Sequence, residues 1–431
     1  VCLLYQSSLK IPTNRATLYE RALRVLLEEW AGEKGISQED LYKGLDTKRK
    51  EMILSEIAHH AFQEDRLFLS RREIADKFEK LLAEMLSDEK FINGVDVLKS
   101  IEVQHGILVE RAYSIYCFSH LTLQEYLTAQ YIDDHRQIEK LVTEHLTEES
   151  WKEVFLLVAG LMRGGADSLL LLMQKQAQKY LSNPNLQSLL NWAEQETAGS
   201  ESNFKPIAKR MTALIIALDI ARLSSCELAL SLDLLRVRLR AIDLTIALAI
   251  DFVLTSNRDI NSTIELDIII DRKSTNAINL TFANVTCKDN DALAIHRSKN
   301  ITRDFNLALA RAEDLEKRKI FKSVNFIELI SAMKLLKIKA SDYMQSHETS
   351  LEFRENLLKL WKNTLNLDPK LVNLSKKEAK ALENYFYINW LIVKCKQASV
   401  RVLPTTWKGI EEQMLLFLKS SPTGGTTTHD E

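Results

Sequence analysis

Only 12 glycines and 6 prolines punctuate 431 residues. A β-sandwich or barrel needs a tight turn after nearly every short strand, and Gly and Pro supply most such turns. So sparse a supply excludes an all-β architecture. The chain is rich instead in Ala, Leu, Glu, Lys and Arg, which lose least on entering a helix. The expected fold class is mainly α.

The hydrophobic fraction of 46% with 27% charge is that of a globular chain, long enough for two or three cores. With 57 basic and 59 acidic residues, the net charge of −2 gives no global pull towards nucleic acid or an anionic membrane. Cys2, Cys117, Cys226, Cys287 and Cys395 are far apart, odd in number and never in a CxxC pair. Neither a disulfide framework nor a zinc site is expected, and a reducing cytoplasm fits best. His59 and His60 are adjacent and there is no HExxH, so no metal site is expected. The longest apolar run, Val154 to Met162, is short of the ~20 residues a bilayer crossing needs. The chain opens "VCLLYQ", mid-pattern and without a start methionine, as a fragment or a non-standard start would.

Apolar residues at helical spacing run through Leu18, Tyr19, Ala22, Val25, Leu26 and Trp30, then Met52, Ile53, Ile57 and Ala61, then Ile74, Phe78, Leu81, Leu82 and Met85. "SQED" (37–40) and "SRRE" (70–73) have the form of N-cap boxes. A short third helix ends at Gly106. The period then changes. "ILVERAYSIYCFSH" reads as strands near 107–111 and 115–118, and Thr122–Glu125 reads as a further capping box. Three helices, a hairpin and a closing helix over 47–134 is the layout of a winged helix, with the hairpin as the wing.

From 135 to 420 the pattern is helical, broken at 163–168, 182–186 and 197–202. Between Thr212 and Val253 an "ALDIA / LSLDLL / AIDLTIALAID" refrain sets Asp beside apolar faces; these Asp residues are expected to face water or pair with Arg222, Arg236, Arg238 and Arg240. Residues 256–300 are β-branched and read equally as an inserted hairpin or as drifted helix. Capping boxes recur at Thr349/Glu352 and Ser375/Glu378, and 421–431 reads as a frayed tail.

No phosphate loop, nucleophile elbow or GxGxxG is present, so no catalysis is expected of this chain. Cys117 near His120 suggests a dyad, but a thiol between Tyr116 and Phe118 in a strand would be buried and inert. His120 by itself reads as a turn or packing residue.

Its neighbours change that reading. "FSHLTLQEYLTAQYI" closely resembles the F-x-H-x-x-x-Q-E-aromatic-x-x-A signature of the winged helix in NACHT-family NTPases, of the STAND class. "IEVQHGILVERAYSIY" resembles that family's third helix and wing. "IPTNRATLYERALRVLLEEW" is similar to the segment after its ATPase core, and "VCLLYQ" to the end of the helix before that. The resemblance is strongest to bacterial, especially cyanobacterial, members and covers about the first third of the chain. The Ala-Leu-Asp helices and "WKGIEEQMLLFL" also look like the C-terminal helical domain of such proteins.

The resemblance implies three segments: terminal helices of the NACHT module in 1–46, the winged helix in 47–134 and a helical sensor domain in 135–420. It implies that His120 touches the ADP phosphate and holds the closed state, with Phe118, Gln124, Glu125 and Tyr126 supporting the motif. Gln124 and Glu125 are expected to bond within the domain, Glu125 closing the cap. The chain lacks Walker A and B segments, so the ATPase activity does not carry over; ADP or ATP with Mg would belong to a full-length parent. The implied partners are that upstream module, a protein or other ligand at the helical domain, and further copies on activation, in defence or stress signalling. A stand-alone helical adaptor is the alternative. A winged-helix DNA-binding regulator is weaker, because Asp96, Glu102 and Glu110 crowd the third helix where a basic face is needed.

Overall fold

The computed structural model describes residues 14–30, 45–85, 93–225, 228–256, 291–338 and 347–418. Contacts divide the chain into two compact units, 1–173 with 394–407 and 174–393 with 408–431. The fold class is as expected: mainly α, with one small antiparallel sheet among the described residues.

The first unit begins with α1 (Arg15–Arg24), capped by the Asn14 side chain and continued as a π-turn over Val25–Glu29. Its deepest residues are Ala16, Leu23, Val25 and Leu27. The expected stripe is rotated, since Leu18, Tyr19 and Ala22 are only half-buried. Helix α2 (Thr47–Gln63) buries Ile53, Ile57 and Ala61 as expected, but Met52 faces out. Helix α3 (Arg71–Met85) starts at Ser70, whose hydroxyl accepts the Glu73 N–H. Glu73 does not complete the box; its carboxylate pairs with Arg66. Helix α4 (Gly94–Ser100) continues as a π-turn to His105, and Gly106 ends it at φ 61°, a left-handed conformation that suits glycine.

The wing is β2 (Leu108–Ala112) paired with β3 (Ile115–Phe118), in the register Leu108↔Phe118 and Glu110↔Tyr116, with a bulge between Glu110 and Ala112. A strand not expected from sequence, β1 (Leu69–Ser70), pairs with β3 and makes it central, in the order β1-β3-β2. Two residues are too few for any periodic signal. Helix α5 (Leu121–Asp134) starts at His120. The Thr122–Glu125 box therefore does not form, because both residues lie inside the helix. Then come α6 (Ile138–His145), α7 (Lys152–Leu161) and α8 (Asp167–Ala177).

In the second unit, α9 (Pro184–Thr197) leads to α10 (Pro206–Ser224), buried at every residue from Lys209 to Arg222. A helix buried all round is the centre of its unit. It is followed by α11 (Leu228–Ser256), α12 (Asp291–Arg318), α13 (Phe326–Ile338), α14 (His347–Thr364), α15 (Lys376–Ala398) and α16 (Pro404–Gln413), of which residues 394–407 belong to the first unit. The box at Ser375/Glu378 forms in full: Ser375 Oγ accepts the Glu378 N–H, and Glu378 accepts the Ser375 N–H. Thr349 instead lies within α14. Within the refrain Asp219 is buried rather than facing water and pairs, as expected, with Arg238; Arg311, outside the expected set, is its second partner. Asp233 does pair with Arg236 on the surface. Of the ambiguous stretch 256–300, residues 291–300 are helical and 257–290 lie outside the described residues.

Candidate functional site: the histidine before helix α5

Strand β3 delivers the chain to Ser119, whose N–H donates to the Ile107 carbonyl at 2.8 Å. His120 follows with extended backbone (φ −136°, ψ 134°) as the N-cap of α5, and its carbonyl accepts the Leu123 N–H. Its ring is exposed, makes no capping bond, and receives no hydrogen bond among the described residues. A core-packing role requires a buried ring, so that reading fails. What remains is an imidazole held on a rigid junction at the positive end of a helix.

The supporting residues face inward. Phe118 and Tyr126 are buried, and burial lifts the Tyr126 hydroxyl above its ordinary range. Gln124 is 2% exposed, and its Nε2 donates to the Arg66 carbonyl at 3.3 Å, tying α5 to the loop before β1. Arg66 in turn spans the carboxylates of Glu64 and Glu73, each at 2.5 Å. With His60 these carboxylates form a close histidine–carboxylate group, whose negative charge the Arg66 guanidinium already meets.

Glu125 is the departure from expectation. It closes no cap. Half-buried, it looks across to Glu153 on α7 and to Arg15 and Tyr19 on α1, with Lys152 also near. Arg15 Nη1 already donates to both Glu153 oxygens, at 2.7 and 3.0 Å. Burial first, then repulsion from Glu153, pushes the Glu125 carboxyl up to about 7; Lys152 and Arg15 offset part of this. Sequence reasoning missed this cluster because Arg15, Glu125 and Glu153 share no local pattern.

The sign follows from linkage. Between pH 4.5 and about 7 the folded state holds a proton on Glu125 that the unfolded state has lost, so stability falls as pH rises through that window. Glu125→Gln cannot ionise. At pH 8 it should be more stable than wild type by ~1–2 kcal/mol, after discounting for solvent screening. The two should converge below pH 5. Urea titrations at pH 8 and pH 5 check this, and a destabilised variant at pH 8 would contradict it.

A family model described as the winged helix-turn-helix domain C-terminal to NACHT matches residues 15–132, taking in α1 as well as the wing and α5. A second, the NACHT C-terminal helical domain 2, matches residues 329–417. Comparison with curated proteins and with solved structures gave no match. Two domains that each stand C-terminal to a NACHT module, carried on one chain, support its assignment as a C-terminal part of a NACHT protein.

Proposed function

We propose that the chain is the regulatory and sensor half of a STAND-type signalling NTPase. In this reading the winged helix couples the nucleotide state of an upstream NACHT module to ligand sensing by the helical array. The observation that carries it is His120: exposed, without a hydrogen-bond partner among the described residues, and fixed at the N-cap of α5. A phosphate oxygen accepting a bond from this ring would also meet the positive end of that helix, where the first N–H groups lack intrahelical acceptors. The residues present therefore fit a nucleotide phosphate, and ADP or ATP with Mg would supply the ligand and its charge.

The chain's own part is binding and positioning. Gln124, bonded to the Arg66 carbonyl, and buried Phe118 and Tyr126 hold α5 in place, so the backbone that carries the ring needs no ordering on contact. A contact made only in the closed state favours that state, and losing it frees the module to open and to assemble with further copies. Defence or stress signalling is the setting proposed. Asp96 on α4 and Glu102, which accepts the Glu110 N–H at 3.1 Å and the Tyr116 hydroxyl at 3.2 Å, weigh against a duplex contact there.

With no phosphate loop in its sequence, the purified chain should not hydrolyse ATP or GTP. A phosphate-release assay checks this against a denatured control, and turnover above that control would remove the assignment. The coupling itself is tested in the NACHT-bearing protein, where His120→Ala should oligomerise without a stimulus while wild type stays monomeric.

A further inference from the structure

The adjacent histidines of the sequence, His59 and His60, part company in the structure. His60 is exposed, with Glu64 3.6 Å away. His59 is half-buried on α2 and stacks on Tyr131 of α5, with ring centroids 4.3 Å apart and planes 22° from parallel. Tyr131 stacks in turn on His135 at 3.9 Å, and His135 Nδ1 lies 2.9 Å from the Tyr131 carbonyl oxygen. Arg136 then reverses the chain into α6 with φ 54°. A second ring contact joins the same two regions: His145, at the end of α6, stacks on Trp151 at 3.7 Å, and Trp151 meets Phe62 of α2 edge-on at 4.9 Å.

The charges that act most on His59 are of one sign. Lys140 and His145 act on it from α6, His135 from the end of α5, and His60 from its own helix. The nearby carboxylates serve other groups: Glu64 is paired with Arg66 and flanks His60, Glu148 and Glu144 lie 3.0 and 3.7 Å from the His145 ring nitrogens, and Glu56 lies by Tyr131. A proton arriving on His59 would thus place a half-buried cation among bases and a lysine.

We propose that this array is an acid-released latch, in which the rings of α2 hold the α5–α6 turn while His59 is neutral and protonation of His59 loosens α6 from α2. It is a second input to the winged helix and needs no nucleotide.

Burial and those four neighbours push His59 down to about 4 from its ordinary 6.5. The latched state therefore binds fewer protons than the released state between those values. Its grip is complete above pH 6.5 and is lost as pH falls towards 4. With solvent screening allowed for, the latch should weaken about tenfold between pH 7.5 and pH 5.0.

Amide hydrogen exchange on the whole chain, corrected for intrinsic rates, measures this directly. Protection of amides in 138–151 should fall about tenfold from pH 7.5 to pH 5.0, while amides of Leu214–Ile220 in buried α10 keep theirs. His59→Phe keeps a ring for the stack but cannot take the proton, so the fall should vanish. Lys140→Gln, at an exposed position, removes one repelling charge and should shrink it; this variant carries the test if His59→Phe does not fold. Equal protection of 138–151 at both pH values would overturn the latch, as would an undiminished fall in either variant.

Discussion

Asp219→Ala should cost the helical array about 3–5 kcal/mol, the loss expected when one partner of a buried ion pair is removed. The carboxylate is 6% exposed on the central helix, with Arg238 Nε 2.5 Å and Arg311 Nη1 2.7 Å away and Arg222 as a third nearby positive charge. Burial alone would raise this carboxyl. The three guanidinium groups outweigh it and hold the carboxyl below the ordinary carboxylate range. The ion cluster is thus at full strength above pH 3.8 and fails only as pH drops below that. Alanine would take from Arg238 and Arg222, both buried, the negative charge that acts on both. Asp233→Ala, from the same refrain, should cost only a few tenths of a kcal/mol, because its Arg236 partner is two-thirds exposed. Urea midpoints of the two variants make the comparison, and equal losses would mean that burial of the pair does not govern its worth.

The second large effect is expected at Gly94, the first residue of α4. A Cβ there would stand 2.0 Å from the Ala75 carbonyl oxygen and 2.7 Å from its carbon, on α3. Backbone atoms within a helix cannot rotate away, so α3 and α4 would have to separate. Gly94→Ala should destabilise the winged helix by roughly 3 kcal/mol, the upper end for overpacking. Helix propensity alone predicts the opposite sign, a gain of ~1 kcal/mol. Gly409, inside α16 with nothing within 4 Å of a built Cβ, separates the two effects. Gly409→Ala should stabilise by ~0.5–1 kcal/mol. Thermal midpoints moving in opposite directions are the expected result.

These sites also mark how far the sequence could be read. The helices, the breaks between them and the change of period at the wing were legible because each is a local pattern repeated over several residues. Ser375/Glu378 was legible for the same reason, since both cap partners lie within one turn. Strand β1 was not, because two residues carry no period and its pairing with β3 spans more than forty positions. The false box at Thr122 arose because Thr-x-x-Glu spacing also occurs inside helices, and tertiary packing placed the N-cap of α5 two residues earlier, at His120. For Asp219 the pairing with Arg238 was legible, because the refrain sets both residues on neighbouring helices, but its second partner was not. Its partner Arg311 lies 92 residues away, which no local pattern reveals. Glu125 was given a capping role for the same local reason, whereas its neighbours come from α1 and α7.

The site followed a different rule. The position of His120 came from a resemblance, and its exposure came only from the structure. Composition and spacing assign a junction histidine to packing, and they cannot say which way the ring points.

The proposed role of His120 requires that ring to touch nucleotide, and the dissociation constant of ADP in the NACHT-bearing protein tests it most directly. A single hydrogen bond to a charged phosphate contributes about 1.5–3 kcal/mol, so His120→Ala should weaken ADP binding by about one to two powers of ten. Stability should be little changed, because the exposed ring packs nothing into the core. ADP affinity equal to that of wild type, in a variant that remains folded, would contradict the account and leave His120 as the cap of a helix.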